Sequence, residues 1–369
     1  MLVLSIIMML FYLAFLIWLA SAIYYSKSPN IIASYPNVSI VVAAHNEEKN
    51  LPLLLDALVN QNYPIDKYEI IIADDRSTDN SQEIVNFFQS KHPNINLINI
   101  KETPVGWSNK KWALTKAISK SNSDIIIQTD ADCIPSLNWI RTIASYFNNS
   151  KVGFVAGASP LTHSDLLLNN LFQMESLIQE AVNAGAIKNK IVLSCTGRNI
   201  AFRKKHFDLV DGYIGNENIL SGDDDLLLQK FANQTDSQIE YSIDSNSLVE
   251  SPAPNNFKSF LKQRLRFASK GIDYYRIGTT LELRGTLILL LLSNGIFIWS
   301  VFNLFILGNL FYIIPIGCKA LSDFFLSSIF INKLKREWSF ISYLILTMLH
   351  PFYIVTIGLL GPLIKVNWK

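Results

Sequence analysis

Cysteine is scarce in this chain. Three (Cys133, Cys195, Cys318) occur in 369 residues, at no metal-ligand spacing and in no even set. That argues against a disulfide framework and a thiolate metal centre, and marks them as reduced, buried thiols. Charge is short as well: 32 Lys and Arg stand against 30 Asp and Glu, for a formal net charge of +2. A balance of that size supplies no bulk field for nucleic acid, so that class of partner is set aside. Neither GxGxxG nor GxxxxGK[ST] occurs at the strand-to-helix turns, which removes the dinucleotide fingerprint and the P-loop. The first 26 residues hold no Lys or Arg. A cleaved signal peptide needs a basic start and a short apolar run of about 7–15 residues, and this start has neither.

What the chain has in place of charge is hydrophobicity, at 50% of residues and unevenly spread. Residues 2–24 (LVLSIIMMLFYLAFLIWLASAIY) carry no charge, and their length matches the roughly 20 residues of a membrane-crossing helix. Residues 1–25 therefore read as an uncleaved anchor. A second change of composition follows Arg284. Gly285 to Phe330 is nearly free of charge and long enough for two spans, NKLKREW interrupts it, and Ser339 to Ile364 reads as one more. Lys319 and Asp323 weaken the second of these segments. Pro315 suggests a span ended early and followed by a helix lying in the interface, so residues 285–364 hold two or three spans. The basic loop near 332–338, with Lys333, Lys335 and Arg336, belongs on the cytoplasmic face by the positive-inside rule.

Between these apolar regions, residues 36–284 read as one α/β domain. Val38–Val42 is a β-branched run, after which Leu51, Leu54, Leu55 and Leu58 recur at helical spacing. YEIIIADDRSTDNSQEIVNFF repeats the pattern, with a strand to Ala73, a turn through Asp74 and Asp75, and a helix capped near Thr78 or Asp79. A third strand around Asn96–Ile100 precedes a helix beginning at Lys110 and Lys111, and a fourth strand covers Ile125–Gln128. Such alternation predicts a mostly parallel, doubly wound sheet.

The fourth strand runs straight into Asp130 and Asp132, in IIIQTDADCIP. Ligands of open α/β sheets lie beyond the carboxyl ends of the strands, and two hard oxygen ligands there suit Mg²⁺ or Mn²⁺ shared with substrate phosphates. A strand breaking into a turn at Pro135 accounts for a lone DxD equally simply. Asp223, Asp224 and Asp225 follow Gly222 in SGDDDLLLQK. Three successive carboxylates repel one another, which raises one pKa toward the range of a general base. A capped helix start is the plainer reading.

In that order NVSIVVAAHNEE, IIADDRSTDNS, NKKWAL and TDAD resemble the nucleotide-sugar-binding half of family 2 glycosyltransferases, which have the GT-A fold. SGDDDLLLQK (221–230) resembles the family's acidic motif, and QRLRF (263–267) its QxxRW motif with Phe267 in place of Trp. The resemblance spans roughly residues 36–270. It implies a GT-A, Rossmann-like mixed and mostly parallel sheet flanked by helices, with N- and C-terminal transmembrane helices added. It implies a metal on Asp132, with Asp130 on the metal or the ribose, and a donor pocket of Ala44, His45, Glu47, Asp74, Asp75 and Lys110. His45 stands where relatives often have an aromatic that stacks on the base. Asp224 aligns with the catalytic base, with Asp223 as the fallback. Arg198 and Asn199 border the acceptor, and Gln263, Arg264, Arg266 and Phe267 close over the diphosphate and acceptor.

The activity so implied is inverting, metal-dependent transfer of a sugar from a nucleotide sugar, foremost a UDP-sugar, to a lipid or glycan hydroxyl. The expected location is the cytoplasmic side of a bacterial plasma membrane, with a multi-pass chain and both termini outside. The rivals are a GT-A-like nucleotidyl- or phosphotransferase and a catalytically inactive membrane scaffold.

Overall fold

After the apolar helix α1 (Leu2–Tyr25) the chain alternates strand and helix: β1 (Val38–Ala44), α2 (Leu51–Val59), β2 (Tyr68–Asp74), α3 (Ser81–Lys91), β3 (Ile95–Asn99), α4 (Asn109–Lys120) and β4 (Ile125–Gln128). These bounds, from a computed structural model describing residues 1–29, 35–162, 164, 166–269, 274 and 278–361, lie within two residues of those expected from periodicity. Beyond β4 come β5 (Ile134–Pro135), α5 (Trp139–Tyr146), β6 (Val152–Gly157), α6 (Leu167–Lys188), β7 (Ile200–Arg203), α7 (Lys204–Leu209), α8 (Asp225–Gln234), β8 (Gln238–Ser242), β9 (Val249–Glu250) and α9 (Phe257–Ser269).

Seven strands form one sheet in the order β3-β2-β1-β4-β7-β6-β8. β1 pairs in parallel with β2 and β4, β2 with β3 and β6 with β8, while β7 runs antiparallel to both β4 and β6. The sheet is thus mixed and mostly parallel. Strand alternation explains its two covered faces. Val38, Ile40, Val42, Ile70, Ile72, Ile125 and Ile127 point into one core with Leu54, Leu55, Trp139 and Ile143 of α2 and α5. Val41, Ile71 and Ile126 are equally buried on the other face, where α4 packs on β1 and β2 with Ala113, Leu114, Ala117 and Ile118 inward.

The helix after β2 begins one residue later than expected. Ser81 opens α3 after Asn80, and the Asp79 carboxylate accepts the Ser81 amide at 3.0 Å. Thr78 instead donates its amide to Asn46 Oδ1 at 2.8 Å, which ties the turns after β1 and β2 together.

The chain divides into two compact units. The sheet belongs to Lys27–Pro160 with Ser194–Pro252, and the other unit comprises Met1–Ser26, Leu161–Leu193 and Ala253–Lys369. Within residues 36–284, the described parts of 161–193 and 253–269 fall in the unit containing the apolar helices. The physical reason is composition: α6 buries Phe172, Leu177, Ala181, Ala184 and Ile187. Gly185 on α6 lies so close to α1 that a Cβ there would meet Leu19 Cβ at 2.7 Å. Small residues of this kind let apolar helices approach at backbone distance.

Four described helices are long and apolar enough to cross a membrane: Leu2–Tyr25, Leu281–Phe305, Leu310–Lys333 and Phe340–Leu360. Residues 362–364 of the last expected span lie outside the described residues. Pro315 does not end a span. It sits in the first turn of the Ile313–Lys333 helix, where the missing N–H of proline has no helical partner to lose. Lys319 and Asp323 are tolerated because they pair one turn apart at 2.6 Å within that helix.

Candidate active site

Sheet register gathers the motifs at one edge. Ala44 pairs with Asp74 and Val41 with Gln128, so the turns after β1, β2 and β4 leave the sheet side by side at its carboxyl end. Antiparallel β7 adds its opposite end there. Gln128 pairs with Ile200, which sets the segment entering β7 beside Thr129, whose hydroxyl donates to the Arg198 carbonyl at 2.8 Å. Residues some seventy positions apart in sequence become neighbours by register alone.

Lys110, in the first turn of α4, lies at the centre. Its Nζ is 2.8 Å from Asp130 Oδ1 and 2.9 Å from Asp223 Oδ2. Burial opposes the lysine charge, but the Asp130 and Asp223 carboxylates more than offset this and hold the ammonium well above its ordinary pKa. Asp223 also accepts Gln128 Nε2 at 3.0 Å. Asp224 is the residue before α8, and its two oxygens accept the Gly197 amide at 2.9 Å and the Asp225 amide at 2.7 Å. Asp223 and Asp224 thus have separate partners and do not simply repel one another. The turn before them needs glycine: Gly222 has φ +82°, and a Cβ there would meet Leu226 Cδ1 at 2.5 Å.

Burial, followed by the Asp130 charge, pushes the Asp132 carboxyl up, while Arg198 and Lys110 pull it down. Glu47 is raised by burial as well, against its hydrogen bond with Asn50 and with the charges of Asp132 and Asp130 adding to the rise. Turns from β1 and β4 therefore bring acidic groups within electrostatic reach of one another. Among the described residues no group of three or more His, Cys, Asp or Glu is arranged to hold a metal alone. The donor set still fits Mg²⁺ or Mn²⁺, because two hard carboxylates suffice when waters and substrate phosphates complete the shell.

The expected donor residues fall into a connected border. His45 Nδ1 lies 2.6 Å from the Asp75 carbonyl, an acceptor, so this nitrogen carries the proton and Nε2 is left to accept. Asp75 is buried and its carboxylate pairs with Arg76 at 2.8 Å. Asp74 is 1% exposed; one oxygen accepts Ser77 N and Gln82 Nε2, and Oδ1 has no hydrogen-bond partner among the described residues. Ala44 is buried at the end of β1. Arg198 donates to Thr196 Oγ1 at 3.0 Å and to Ser251 Oγ.

Asn199, expected to border an acceptor, is fully buried. It accepts from Trp139 Nε1 at 2.9 Å and donates to the Ala158 and Ser247 carbonyls, both at 2.8 Å. Those bonds use both amide hydrogens, leaving no side-chain donor for a substrate. Gln263, Arg264, Arg266 and Phe267 lie on α9, in the other unit. There Arg264 pairs with the buried Glu175 of α6, and Phe267 is 38% exposed.

Gln128 and Tyr213 escaped the sequence reading. Both are buried, and the Tyr213 hydroxyl donates to Gln128 Oε1 at 3.2 Å. The available signal was the lone amide closing the apolar run IIIQ, since a buried polar side chain needs a partner.

Comparison with known proteins bears on the family and the fold. Residues 39–210 match the family described as Glycosyl transferase family 2. The chain is 28% identical over 244 residues to the probable glycosyltransferase YdaM of Bacillus subtilis, covering 65% of this chain and 56% of that one. It is 24% identical over 257 residues to the beta-monoglucosyldiacylglycerol synthase of a Synechocystis species, covering 66% and 50%. It thus spans about half the length of these curated relatives. The solved mannosyltransferase PcManGT from Pyrobaculum calidifontis, in complex with GDP-Man and Mn²⁺, superimposes with a TM-score of 0.61 over 98% of this chain and 99% of that chain, at 15% identity. At that identity the likeness is one of fold, the GT-A arrangement of sheet and helices.

Proposed function

We propose, for a chain whose residues 39–210 match the glycosyl transferase family 2 model, that it transfers a sugar with inversion from a nucleoside diphosphate sugar to a hydroxyl of a membrane lipid or glycan. The observation that carries this reading is the Asp130–Lys110–Asp223 bridge. It joins the carboxylate pair suited to a donor diphosphate to the acidic motif suited to an acceptor hydroxyl. The likeness to a glycolipid synthase supports a lipid acceptor.

Asp132 and Asp130 would hold Mg²⁺ or Mn²⁺, which when bound supplies positive charge to the diphosphate leaving group. Lys110 adds a fixed cation at the same place. His45 and Asp75 border the base and ribose, with a uracil nucleotide as the first expectation, and Glu47 closes the pocket from the turn after β1. Asp224 takes the acceptor proton. Its two backbone hydrogen bonds fix the carboxylate's direction while the residue stays partly exposed, the combination a general base needs. Arg198 borders the acceptor, and the α9 residues Gln263, Arg264, Arg266 and Phe267 are assigned to the diphosphate and acceptor by resemblance to the family motif. The described apolar helices, long enough to cross a membrane, support a multi-pass chain with residues 36–284 and the 332–338 loop on the cytoplasmic side.

The test is to incubate membranes carrying the wild-type chain or Asp132→Ala with a panel of sugar-labelled and phosphate-labelled nucleotide sugars. Sugar label entering lipid or polymer from one donor, and lost in the variant, is the expected result. Phosphate label in the product would establish the nucleotidyl- or phosphotransferase rival, and no turnover of any donor would leave the inactive scaffold.

A further inference from the structure

We propose that Tyr213, Gln128 and Asp223 form a positioning chain that holds the Lys110 ammonium for the donor diphosphate, which makes Asp223 a positioning residue and not a second base. The proposal rests on the nucleotide-sugar reading above.

The chain has one polarity throughout. Tyr213 donates to Gln128 Oε1, which leaves Gln128 Nε2 to donate to Asp223 Oδ2, the same oxygen that receives Lys110. Burial, then the charge of Asp223, keeps the Tyr213 phenol protonated well above its ordinary pKa, so its role as donor is secure. Gln128 is 0% exposed and Tyr213 1%. Neither amide nor phenol can exchange its partner for water without opening the core. Asp223, buried and engaged by both Gln128 and Lys110, is poorly placed to take a proton from an acceptor. Asp224 is the more exposed of the two, and its carboxylate is oriented by the Gly197 and Asp225 amides.

Lys110 supplies the ligand side of the argument. An ammonium has three donors; two reach Asp130 and Asp223, and the third has no partner among the described residues. Asp130 is shared with the proposed metal site, so Asp223 is the anchor that donor binding leaves in place. A point charge held this way is aimed before the substrate arrives, which lowers the cost of binding a diphosphate.

The test compares the full-length wild type with Tyr213→Phe, Gln128→Met and Asp224→Asn, all in detergent with Mn²⁺. Two readouts are taken: steady-state constants for whichever nucleotide sugar of the panel donates label to product, and the acetylation rate of Lys110 by mass spectrometry, referenced to Lys116. Tyr213→Phe and Gln128→Met are expected to raise the donor KM roughly tenfold, with kcat at saturating donor within about twofold. Both should speed Lys110 acetylation several-fold. Asp224→Asn should do the reverse, losing kcat with donor KM and Lys110 acetylation unchanged. A loss of kcat alone in Tyr213→Phe and Gln128→Met would place the chain at the reacting atoms and overturn the proposal. Unchanged Lys110 acetylation in both variants would overturn it equally. If wild type turns over no donor, the transferase reading fails, and the acetylation rates alone then decide whether this chain holds Lys110.

Discussion

At the scale of single residues the site separates two kinds of carboxylate. Asp132 is pushed up by burial and by Asp130. Asp224 is held by two amides beside the segment entering β7. Asp132→Ala should therefore abolish transfer by removing donor affinity, whereas Asp224→Asn should keep donor binding within about threefold and lose turnover by roughly 10²–10⁴-fold. Calorimetric titration with the nucleotide donor checks this, and equal losses of affinity in both variants would contradict it. Gly197 offers a second test. A Cβ there would sit 3.0 Å from Asp223 Oδ2 and 3.4 Å from Asp224 Cβ, so the aspartates must give way. Gly197→Ala is expected to cut kcat roughly 10–100-fold while the thermal midpoint moves by only a few degrees. Wild-type kinetics from this variant would show that the position of Asp224 is not critical.

At the scale of elements, the Ile313–Lys333 helix combines an apolar exterior with a buried ion pair. Lys319 meets Asp323 at 2.6 Å, and Asp323 accepts the Tyr12 hydroxyl of α1. Removing one partner strands a charge inside the bundle, whereas removing both does not. Asp323→Ala should destabilise the apolar unit by about 3–5 kcal/mol, and Lys319→Met with Asp323→Leu should be nearly neutral. Unfolding in detergent compares the two, and similar losses would mean that the pair's own attraction dominates. Antiparallel β7 is the other decisive element. Had it run parallel, the Gly197–Asn199 turn would have left the opposite edge of the sheet, far from Asp130.

At the scale of the whole molecule the expected behaviour is that of a metal-requiring membrane enzyme. Activity should vanish with excess EDTA and return with Mg²⁺ or Mn²⁺; full activity in chelator would remove the metal from the mechanism. Four spans would set both termini on one side of the bilayer, and a cytoplasmic 332–338 loop, as its basic residues lead one to expect, would make that side the exterior. Single cysteines at Asn30, Ser339 and Asn367, probed with an impermeant maleimide in intact cells, test this arrangement; Asn30 and Asn367 lie outside the described residues. Labelling at Asn30 without permeabilisation would overturn the cytoplasmic assignment, and protection at Asn367 would favour two C-terminal spans.

Local physics wrote the first four strands and helices into the sequence, because β-branched runs and leucines at helical spacing signal their periods within about ten residues. The apolar helices were equally legible, since length and absence of charge are sufficient for them. Asp130, Asp132 and Asp224 stood out in the sequence through motifs that resemble those of family 2 glycosyltransferases, since a turn former or a helix cap explains each of them alone. Three features awaited tertiary structure, each because it depends on partners far away in the chain. Asn199 proved to be a buried tie between three segments, which no neighbour in sequence foretells. Pro315 opened a helix, a distinction that depends on where the preceding turn ends. Gln128 and Tyr213 gained their roles only when the register of β4 and the fold beyond β7 set them beside Asp223. Hydrogen bonds between residues 85 and 95 positions apart are set by how the chain closes on itself, and periodicity carries no record of that closure.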